Sequence, residues 1–405
     1  MNRSNSHMSQ ARHSVSLMAI VHSFWVGCLS WLLSVFLYSP RLTLFLGAGS
    51  GTTRRDDLLI QCLDPLARNL NEPILAYRIV QPLLANALGW CGDRRDLAAL
   101  LGSPGIAYFA LILTLACCHW ALRQRFSSAV SLLCTLALAT TMVTQWTNTA
   151  WGHPDSLTLL PIALILISRH PLCVMVCVFI GALNDERLVL ALPFLALWWW
   201  QEAQSWKESV SKCLVSVVAA GLGLGIVFML RLALAHGWIG PGIADAYSSG
   251  GLFSGPFSRL WQPGDWPSLA VMVLLGFRWL WLIPLLAISL LWRHRGSWRI
   301  AFYAISLLSA GIATFTVADV SRSFAFLFPA VLVALQILRE SGWSDRCLSD
   351  LIAWCLGLNI FTPAAKVFAV PSEWWENPIE WASPYLPLPL NLWQWLRSPN
   401  GAATW

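Results

Sequence analysis

The sequence predicts an all-α protein that crosses a membrane many times, and three observations support this fold class. Of the 405 residues, 57% are apolar and 11% are charged, whereas about a quarter of the residues of soluble proteins are charged. The mean hydropathy of the whole chain is +0.61. The chain also contains 25 tryptophans, whose amphipathic rings favour the headgroup layer, so runs such as Trp198 to Trp200 indicate anchors at a membrane interface rather than a ligand site.

Apolar runs close to the roughly 20 residues that cross a bilayer predict eleven spans. They lie at 16–38, 97–119, 128–146, 155–168, 171–183, 188–200, 213–235, 268–291, 299–317, 323–338 and 347–362. The first run follows Arg3 and Arg12 and is longer than the apolar part of a secretory signal. It therefore predicts a retained first helix with a cytoplasmic N-terminus.

We treat residues 1–405 as a single integral membrane domain without an internal repeat. Its longer external segments are the first loop at 39–96, a Gly/Ser-rich loop at 236–267 and a Trp-rich tail at 363–405. The Gly/Ser-rich loop is typical of either a lid or a plain connector.

The region 171–200 is either one long helix or a hairpin of two short spans, because the polar sequence NDER interrupts it at 184–187. Ionisable residues are costly at mid-bilayer, which favours a hairpin whose tip reaches water or a polar cavity. The positive-inside rule also favours the hairpin. A hairpin places seven basic residues of the later loops inside (Lys207, Lys212, Arg293, Arg295, Arg299, Arg339, Arg346) and four outside (Arg259, Arg322, Lys366, Arg397). The predicted C-terminus is then external.

This topology sends most of the acidic residues to the outer face. The external acids are Asp56, Asp57, Asp64, Glu72, Asp93, Asp96, Asp155, Asp185, Glu186, Asp245, Asp265, Asp319, Glu373, Glu376 and Glu380. Any chemistry is therefore predicted on the external side.

The first external loop is the most charged part of the chain and is expected to form amphipathic helices that lie on the membrane surface. One apolar face comprises Leu58, Leu59, Cys62, Leu63 and Leu66; a second helix, begun by Asn71 and Pro73, would bury Leu75, Ile79 and Leu83. The charged residues of this loop either keep the surface helices hydrated or form a binding or catalytic site. Cys62 and Cys91 could form a disulfide if the compartment is oxidising.

Other polar groups have a structural and a functional interpretation. Asp155 can cap the fourth span or bind a substrate, and the tip residues Asp185, Glu186 and Arg187 can pair with one another or contact a ligand. Arg231 and Arg278 lie within spans, where they are expected to extend to the interface. No nucleotide-binding motif and no basic patch with interleaved aromatics is present, so neither nucleotide hydrolysis nor nucleic-acid binding is indicated.

A resemblance to the GT-C superfamily of integral membrane glycosyltransferases rests on three motifs. The stretch DD…EPILAYRIVQPLLANALG resembles an early "acid, then YR-x-x-x-PLL" pattern, WGHPDSLTLLP an outer turn, and NDERLVLALP a later "polar-acid, then LP" segment. The resemblance covers roughly residues 16–200; beyond them only the topology agrees. A strict Asp-x-Asp motif is replaced by the adjacent pair Asp56 and Asp57.

The resemblance implies transfer of a sugar from a polyprenyl-phosphate-linked donor to an extracytoplasmic acceptor, with inversion, at the plasma (inner) membrane. A carboxylate must accept the acceptor's proton, for which Asp57 or Asp56 is the candidate, with Asp64 in reserve. Cations must stabilise the leaving phosphate. The candidate substrate-binding residues are Arg78, Tyr77, His153, Asp155, Asp185, Glu186, Arg187 and Arg322. Among them, His153 and Asp155 could instead hold a divalent cation.

Two other classes stay open. A transporter or flippase of a lipid-linked or small polar substrate would place its site on broken helices, often in repeated halves. A non-catalytic membrane assembly protein would use the Trp-rich tail as its docking surface.

Overall fold

The computed structural model describes residues 17–38, 60–66, 78–91, 97–149, 154–200, 206–239, 266–290, 298–315 and 320–362. Within these residues the chain is helical throughout and contains no strand. Several of the helices are long and apolar, as in an all-α, multi-pass membrane protein. The loop residues 240–265 and the tail 363–405 lie outside the described part, so the predictions for them remain predictions.

The described helices follow the predicted spans closely. The first half of the chain contains α1 (Leu17–Tyr38), α2 (Val80–Ala87), α3 (Leu97–Arg123), α4 (Ser128–Leu138), α5 (Met142–Thr149), α6 (Ser156–Ile167), α7 (Pro171–Asn184) and α8 (Leu192–Trp200). The second half contains α9 (Trp206–Ala235), α10 (Trp266–Phe277), α11 (Leu282–Ser289), α12 (Trp298–Thr314), α13 (Val320–Ala325), α14 (Phe328–Glu340) and α15 (Asp345–Phe361). Short 3₁₀ turns precede α8 and α11, at Glu186–Ala191 and Arg278–Trp281.

Each of the eleven predicted spans coincides with a helix or a pair of consecutive helices. By length and composition, four helical segments of the described chain can cross a membrane: Leu17–Leu37, Gly105–Arg123, Leu214–Ala235 and Ala270–Ser289. A fifth candidate is the bent pair α4 and α5. The remaining predicted spans are shorter or broken helices, so a count of eleven crossings remains a prediction.

The helices α7 and α8 run in opposite directions, as the hairpin interpretation predicts. Thr158 of α6 donates a hydrogen bond to the carbonyl of Gly181 near the end of α7, so α6 and α7 are antiparallel. Trp198 near the end of α8 donates to the carbonyl of Leu166 at the end of α6, so α6 and α8 are parallel. The chain therefore reverses at the NDER sequence.

The helix α9 confirms this reversal because it runs parallel to α7. Gly223 lies against α7, where a Cβ atom would come within 2.7 Å of the carbonyl oxygen of Met175, so only glycine permits this approach. Eight residues later, Arg231 donates to the carbonyl of Ala182. A single continuous helix over 171–200 would instead have placed α9 antiparallel to α7.

The bundle has two distinct ends. At one end, which we call the basic end, Arg125 lies over the ring of Trp198, and Asp345 accepts a hydrogen bond from the backbone of Ser127. The charged residues described at this end are Arg123, Arg125, Arg169, Arg299, Arg339 and Arg346, with Glu340, Asp345 and Asp350. The opposite end contains the turn before α6 and the tip of the hairpin.

Three of the predicted spans are broken, which the sequence did not predict. α4 and α5 are bent by 47° at Ala139–Thr141, and the span 268–291 is interrupted by the 3₁₀ turn that begins at Arg278. α13 and α14 are separated at 326–327. At the first break, Thr140 donates to the carbonyl of Ala137 and Thr141 to that of Leu138, in each case from both the backbone N–H and the hydroxyl. The backbone is therefore paired within the break.

The described part of residues 39–96, the predicted first external loop, differs from its predicted pattern. Residues 60–63 are helical, but Leu63 is exposed, and α2 begins at Val80 with Gln81, Pro82 and Ala85 buried rather than Leu83. Ile79 is buried as predicted. The disulfide between Cys62 and Cys91 is present, with 5.5 Å between its Cα atoms. It ties the start of this segment to the residues that follow α2.

Candidate functional site

Five of the predicted site residues meet at the end of the bundle opposite the basic end. Arg78 precedes α2, Asp155 precedes α6, Asp185 and Arg187 form the hairpin tip, and Arg322 lies in α13. These five residues are between 0% and 7% exposed. We call these five residues the ion cluster and this end of the bundle the ion-cluster end.

Two acid–arginine pairs form the centre of the ion cluster. Arg187 donates from Nε to Oδ1 of Asp185 at 2.8 Å and from Nη2 to Oδ2 at 2.5 Å. Arg322 donates from Nε to Oδ2 of Asp155 at 2.5 Å and from Nη2 to Oδ1 of the same carboxylate. The pairs adjoin, because Arg187 lies 3.9 Å from Asp155 and Arg322 lies 3.8 Å from Asp185. Each pair has the two-bond geometry that a guanidinium and a carboxylate favour.

Arg78 is the third cation of the cluster. Its Nη2 lies 3.1 Å from Oδ2 of Asp185, the oxygen that Arg187 also contacts. Three guanidiniums therefore share two carboxylates, which gives these five residues a formal charge of +1. A buried positive charge of this kind is stabilised by an anion.

The surrounding charges keep Asp185 ionised. Burial by itself raises the pKa of this carboxyl, but the neighbouring charges of Arg187, Arg78 and Arg322 and the hydrogen bond from Arg187 outweigh burial and hold the pKa below its ordinary range. For Arg78, burial lowers the pKa and the charge of Asp185 opposes the shift. Asp185 is therefore ionised at neutral pH.

Local structure fixes the orientation of the two carboxylates. The backbone of Asp185 is extended (φ −154°), and its Oδ1 accepts a hydrogen bond from the backbone N–H of Arg187, which starts the 3₁₀ turn. Asn184 donates to the carbonyl of Pro154 and to the hydroxyl of Thr158, which joins the hairpin tip to the start of α6. Asp155 occupies the N-cap position of α6, but its side chain makes no capping bond. The capping prediction was wrong because the carboxylate binds Arg322 instead.

Aromatic rings cover the guanidiniums. The guanidinium of Arg322 lies 5.2 Å from the ring centroid of Trp146 in α5, and that of Arg187 lies 4.7 Å from the ring centroid of Phe326. Such contacts stabilise a desolvated cation. They also fix the planes of both guanidiniums.

A fourth buried arginine, Arg278, lies beside the cluster and contacts it through α5. It is 1% exposed, and it donates to the carbonyls of Asn359 and Thr362 and to the side chain of Gln145, the neighbour of Trp146. The prediction that Arg278 extends to the interface was wrong, because the end of α15 supplies these acceptors. Its φ is +53°, a conformation that non-glycine residues rarely adopt.

The sequence analysis did not include the polar face of α5 in the site. Thr141, Thr144, Gln145 and Asn148 recur at helical spacing and are all buried. Thr144 and Asn148 both contact Ser34 of α1. Polar residues at this spacing within an apolar run were the signal that would have identified the face.

The other predicted site residues lie apart from the pairs or outside the described residues. Glu186 is half-exposed and accepts a hydrogen bond from Arg231 at 3.0 Å, so the tip residues do not all pair with one another. Asp64 is exposed, and its Oδ1 accepts from the backbone of Leu66 at 3.1 Å. Outside the described residues lie Asp56, Asp57, Tyr77 and His153.

The ion cluster does not fit a divalent cation. Among the described residues, no three His, Cys, Asp or Glu side chains are grouped to hold a metal ion. Both carboxylates of the cluster already bind guanidiniums, and a further cation would add to a positive site. The arrangement is suited to an anion with several acceptor oxygens, such as a phosphate.

Comparison of the chain with protein-family models, with curated proteins and with solved structures finds no match.

Proposed function

We propose that the protein is a membrane glycosyltransferase of the GT-C type, which moves a sugar from a polyprenyl-phosphate-linked donor to an extracytoplasmic acceptor. The observation that carries the proposal is the buried ion cluster with its excess of one positive charge. The motifs quoted above for the GT-C resemblance contain four of its five members, Arg78, Asp155, Asp185 and Arg187.

The charge of the cluster suits the leaving group of this reaction. When the sugar leaves the donor, negative charge develops on the phosphate oxygens, and prearranged guanidiniums stabilise it in a site that excludes water. A donor with its lipid tail in the bilayer presents this phosphate close to the membrane interface. In the proposal the ion cluster binds the phosphate, and Asp155 and Asp185 hold the arginines in position.

The same geometry favours a carboxylate outside the ion cluster as the base. A general base must have a free acceptor oxygen and a pKa near the working pH. Asp185 has a lowered pKa, and Asp155 is bound through both oxygens by Arg322. The proposed base is therefore Asp57 or Asp56, with Asp64 as the reserve candidate.

Two independent features support the proposal that the ion-cluster end lies on the non-cytoplasmic side. The disulfide Cys62–Cys91 belongs to the loop that carries Arg78, and disulfides persist in oxidising compartments. The basic end carries six described arginines against three acids, as cytoplasmic ends do (Arg123, Arg125, Arg169, Arg299, Arg339, Arg346; Glu340, Asp345, Asp350).

This orientation predicts a labelling pattern for two thiols. Cys347 is an exposed thiol at the basic end, and His236 is exposed at the ion-cluster end beyond Arg231. A membrane-impermeant maleimide added to intact cells is expected to label a His236→Cys variant but not Cys347. In inverted vesicles the pattern should reverse, with Cys347→Ser as the control for labelling of other cysteines. Labelling of both thiols from the same side would refute the predicted arrangement.

The proposed ligand predicts a specific stabilisation. Purified protein in nanodiscs should unfold at a higher temperature with a polyprenyl phosphate, and not with the uncharged polyprenol of equal chain length. At a ligand concentration 100 times its Kd, binding is expected to contribute about 2.7 kcal/mol to the free energy of unfolding. Equal effects of the two lipids, or none, would show that the cluster does not recognise a lipid-linked phosphate.

The broken helices favour a second candidate function, transport of a lipid-linked substrate. Transporters place substrates at interrupted helices, and α4–α5, α10–α11 and α13–α14 are all interrupted in the described chain. The two functions predict different outcomes for a lipid-linked sugar. Incubation with a lipid-linked sugar and candidate acceptors should yield a new glycoside and free polyprenyl phosphate for a transferase, but only movement of the intact lipid across vesicles for a flippase.

A further inference from the structure

Arg78 differs from the other two arginines of the ion cluster. Arg187 and Arg322 each make two hydrogen bonds to one carboxylate, whereas Arg78 approaches Asp185 through Nη2 alone among the described residues. Its Nε and Nη1 make no hydrogen bond to any described residue. Arg78 is therefore the guanidinium of the cluster with donors available to a ligand.

Arg78 also differs in how it is held. Arg187 and Arg322 belong to helical segments packed inside the bundle, but Arg78 precedes the eight-residue helix α2 in the first external loop. Its neighbour Ile79 packs against Ala182, Leu183 and Val227. Val80 packs on the same apolar cluster, and Pro82 and Ala85 of α2 are buried, so these apolar contacts all lie on the C-terminal side of Arg78. An arginine loses considerable rotamer entropy when it is fixed, so a further constraint on this segment helps to hold Arg78 in place.

The disulfide supplies the remaining constraint. Cys62 and Cys91 are 29 positions apart in the sequence, and the loop that their disulfide closes contains both Arg78 and α2. Within it, the side chain of Asn86 in α2 donates to the carbonyl of Cys62 at 2.8 Å. The covalent bond and this hydrogen bond together tie α2 to the residues around Cys62, so the bond limits the positions available to Arg78.

We propose that the Cys62–Cys91 disulfide positions Arg78 for phosphate binding, so that the anion site becomes complete only after the bond has formed outside the cytoplasm. The inference rests on the proposed function, since it assumes that the cluster binds the donor phosphate. It makes Cys62 and Cys91 positioning residues that act through Arg78. A chain that is still in a reducing compartment would bind the donor weakly.

The bond forms by thiol–disulfide exchange with an oxidised dithiol–disulfide oxidoreductase of the non-cytoplasmic compartment. Cys62 and Cys91 each lose a proton, one S–S bond forms between them, and the disulfide of the oxidoreductase is reduced to its dithiol by the two electrons released.

A double-mutant cycle tests the inference, with polyprenyl phosphate as the probe and the full-length protein in nanodiscs. Arg78→Gln removes a charged donor and is expected to weaken binding about 10- to 100-fold. The Cys62→Ser/Cys91→Ser variant should weaken binding to a similar extent. Adding Arg78→Gln to that variant should weaken it little further, because both changes remove the same contact.

Three controls keep the result specific to this mechanism. Cys347→Ser removes an exposed thiol outside the loop and should bind as the wild type does. Reduction and alkylation of the folded wild-type protein should weaken binding as much as the cysteine substitutions do. This protein has formed its disulfide during biosynthesis, so the effect would not come from altered folding in the cell. Arg78→Lys keeps the charge without the planar fork and should recover part of the lost affinity. Inorganic phosphate as a second probe shows whether the lipid tail is needed.

Each outcome has a distinct meaning. Wild-type affinity in the cysteine variant, or weakening that is independent of Arg78, overturns the positioning role while the proposed function stands. Absence of polyprenyl phosphate binding by the oxidised wild-type protein overturns the proposed function itself, and the positioning role with it.

Discussion

Replacing Asp155 by Asn is expected to destabilise the folded protein by about 3–5 kcal/mol, because it removes the negative charge that the buried guanidinium of Arg322 contacts through both Nε and Nη2. Asp155 is 2% exposed and Arg322 is 5% exposed. The substitution also raises the formal charge of the ion cluster from +1 to +2. The thermal midpoint, followed by tryptophan fluorescence in detergent, and the free energy of unfolding from steric trapping in bicelles would measure the loss.

The pairwise nature of the effect can be tested by removing both ions. Asp155→Leu together with Arg322→Leu removes the two charges at once, so it should cost less than Asp155→Asn alone. Asp350→Asn is the matched control, because Asp350 is an exposed acid near the basic end and should change stability by no more than about 0.5 kcal/mol. A loss in the Asp350 variant equal to that of Asp155→Asn would mean that burial of the pair is not the cause.

The positions of the helices could be predicted from the sequence because apolar length is a strong signal in a membrane protein. The reversal at 184–187 could also be predicted, since a charged sequence at mid-bilayer is costly and the flanking basic residues agree with a hairpin. The breaks at Ala139–Thr141 and Arg278 could not. At the first break the threonine hydroxyls donate to nearby carbonyls, and at the second the side chain of Arg278 donates to a carbonyl of a distant helix. Neither contact is visible in a local hydropathy pattern.

The members of the ion cluster were candidates from the sequence, but their pairing was not. Arg322 and Asp155 are separated by 167 positions, and only the packing of the folded helices brings them together. The prediction that Leu83 is buried, which was based on its spacing from Ile79, was wrong. α2 begins after Ile79, so Leu83 points away from the bundle and is 47% exposed. A periodic pattern gives a face only when the start of the helix is known.

The tip residue Glu186 shows why charge alone does not identify a site residue. It is flanked by Asp185 and Arg187, both of which are buried, yet its own carboxylate is half-exposed and contacts Arg231 of α9. The extended backbone of Asp185 and the 3₁₀ turn that follows it direct consecutive side chains to different surroundings. The Glu186 carboxylate is consequently more accessible than either acid of the ion cluster.

Replacing Asp57 by Asn is expected to lower the rate of sugar transfer by about 10²–10⁴-fold, the usual contribution of a general base. The proposed mechanism requires this because the acids of the ion cluster hold arginines and cannot readily accept a proton. The amide keeps the size of the side chain but cannot take the proton of the acceptor hydroxyl. Transfer from a polyprenyl-phosphate-linked sugar, measured as new glycoside formed per unit time, is the readout.

A measurement of polyprenyl phosphate binding distinguishes a variant that has lost the catalytic base from one that has lost the phosphate site. The Asp57→Asn variant should bind polyprenyl phosphate as the wild type does and unfold at the same temperature, since the phosphate contacts are assigned to the arginines. Asp56→Asn is made in parallel because the two acids are adjacent, and Asp64→Asn tests the reserve candidate. Asp350→Asn is the control, because it removes an exposed carboxylate near the basic end. If both the Asp56 and Asp57 variants, singly and together, transferred sugar at the wild-type rate, the base would have to be another carboxylate. Loss of transfer in Glu186→Gln would then assign the role to the accessible acid at the hairpin tip.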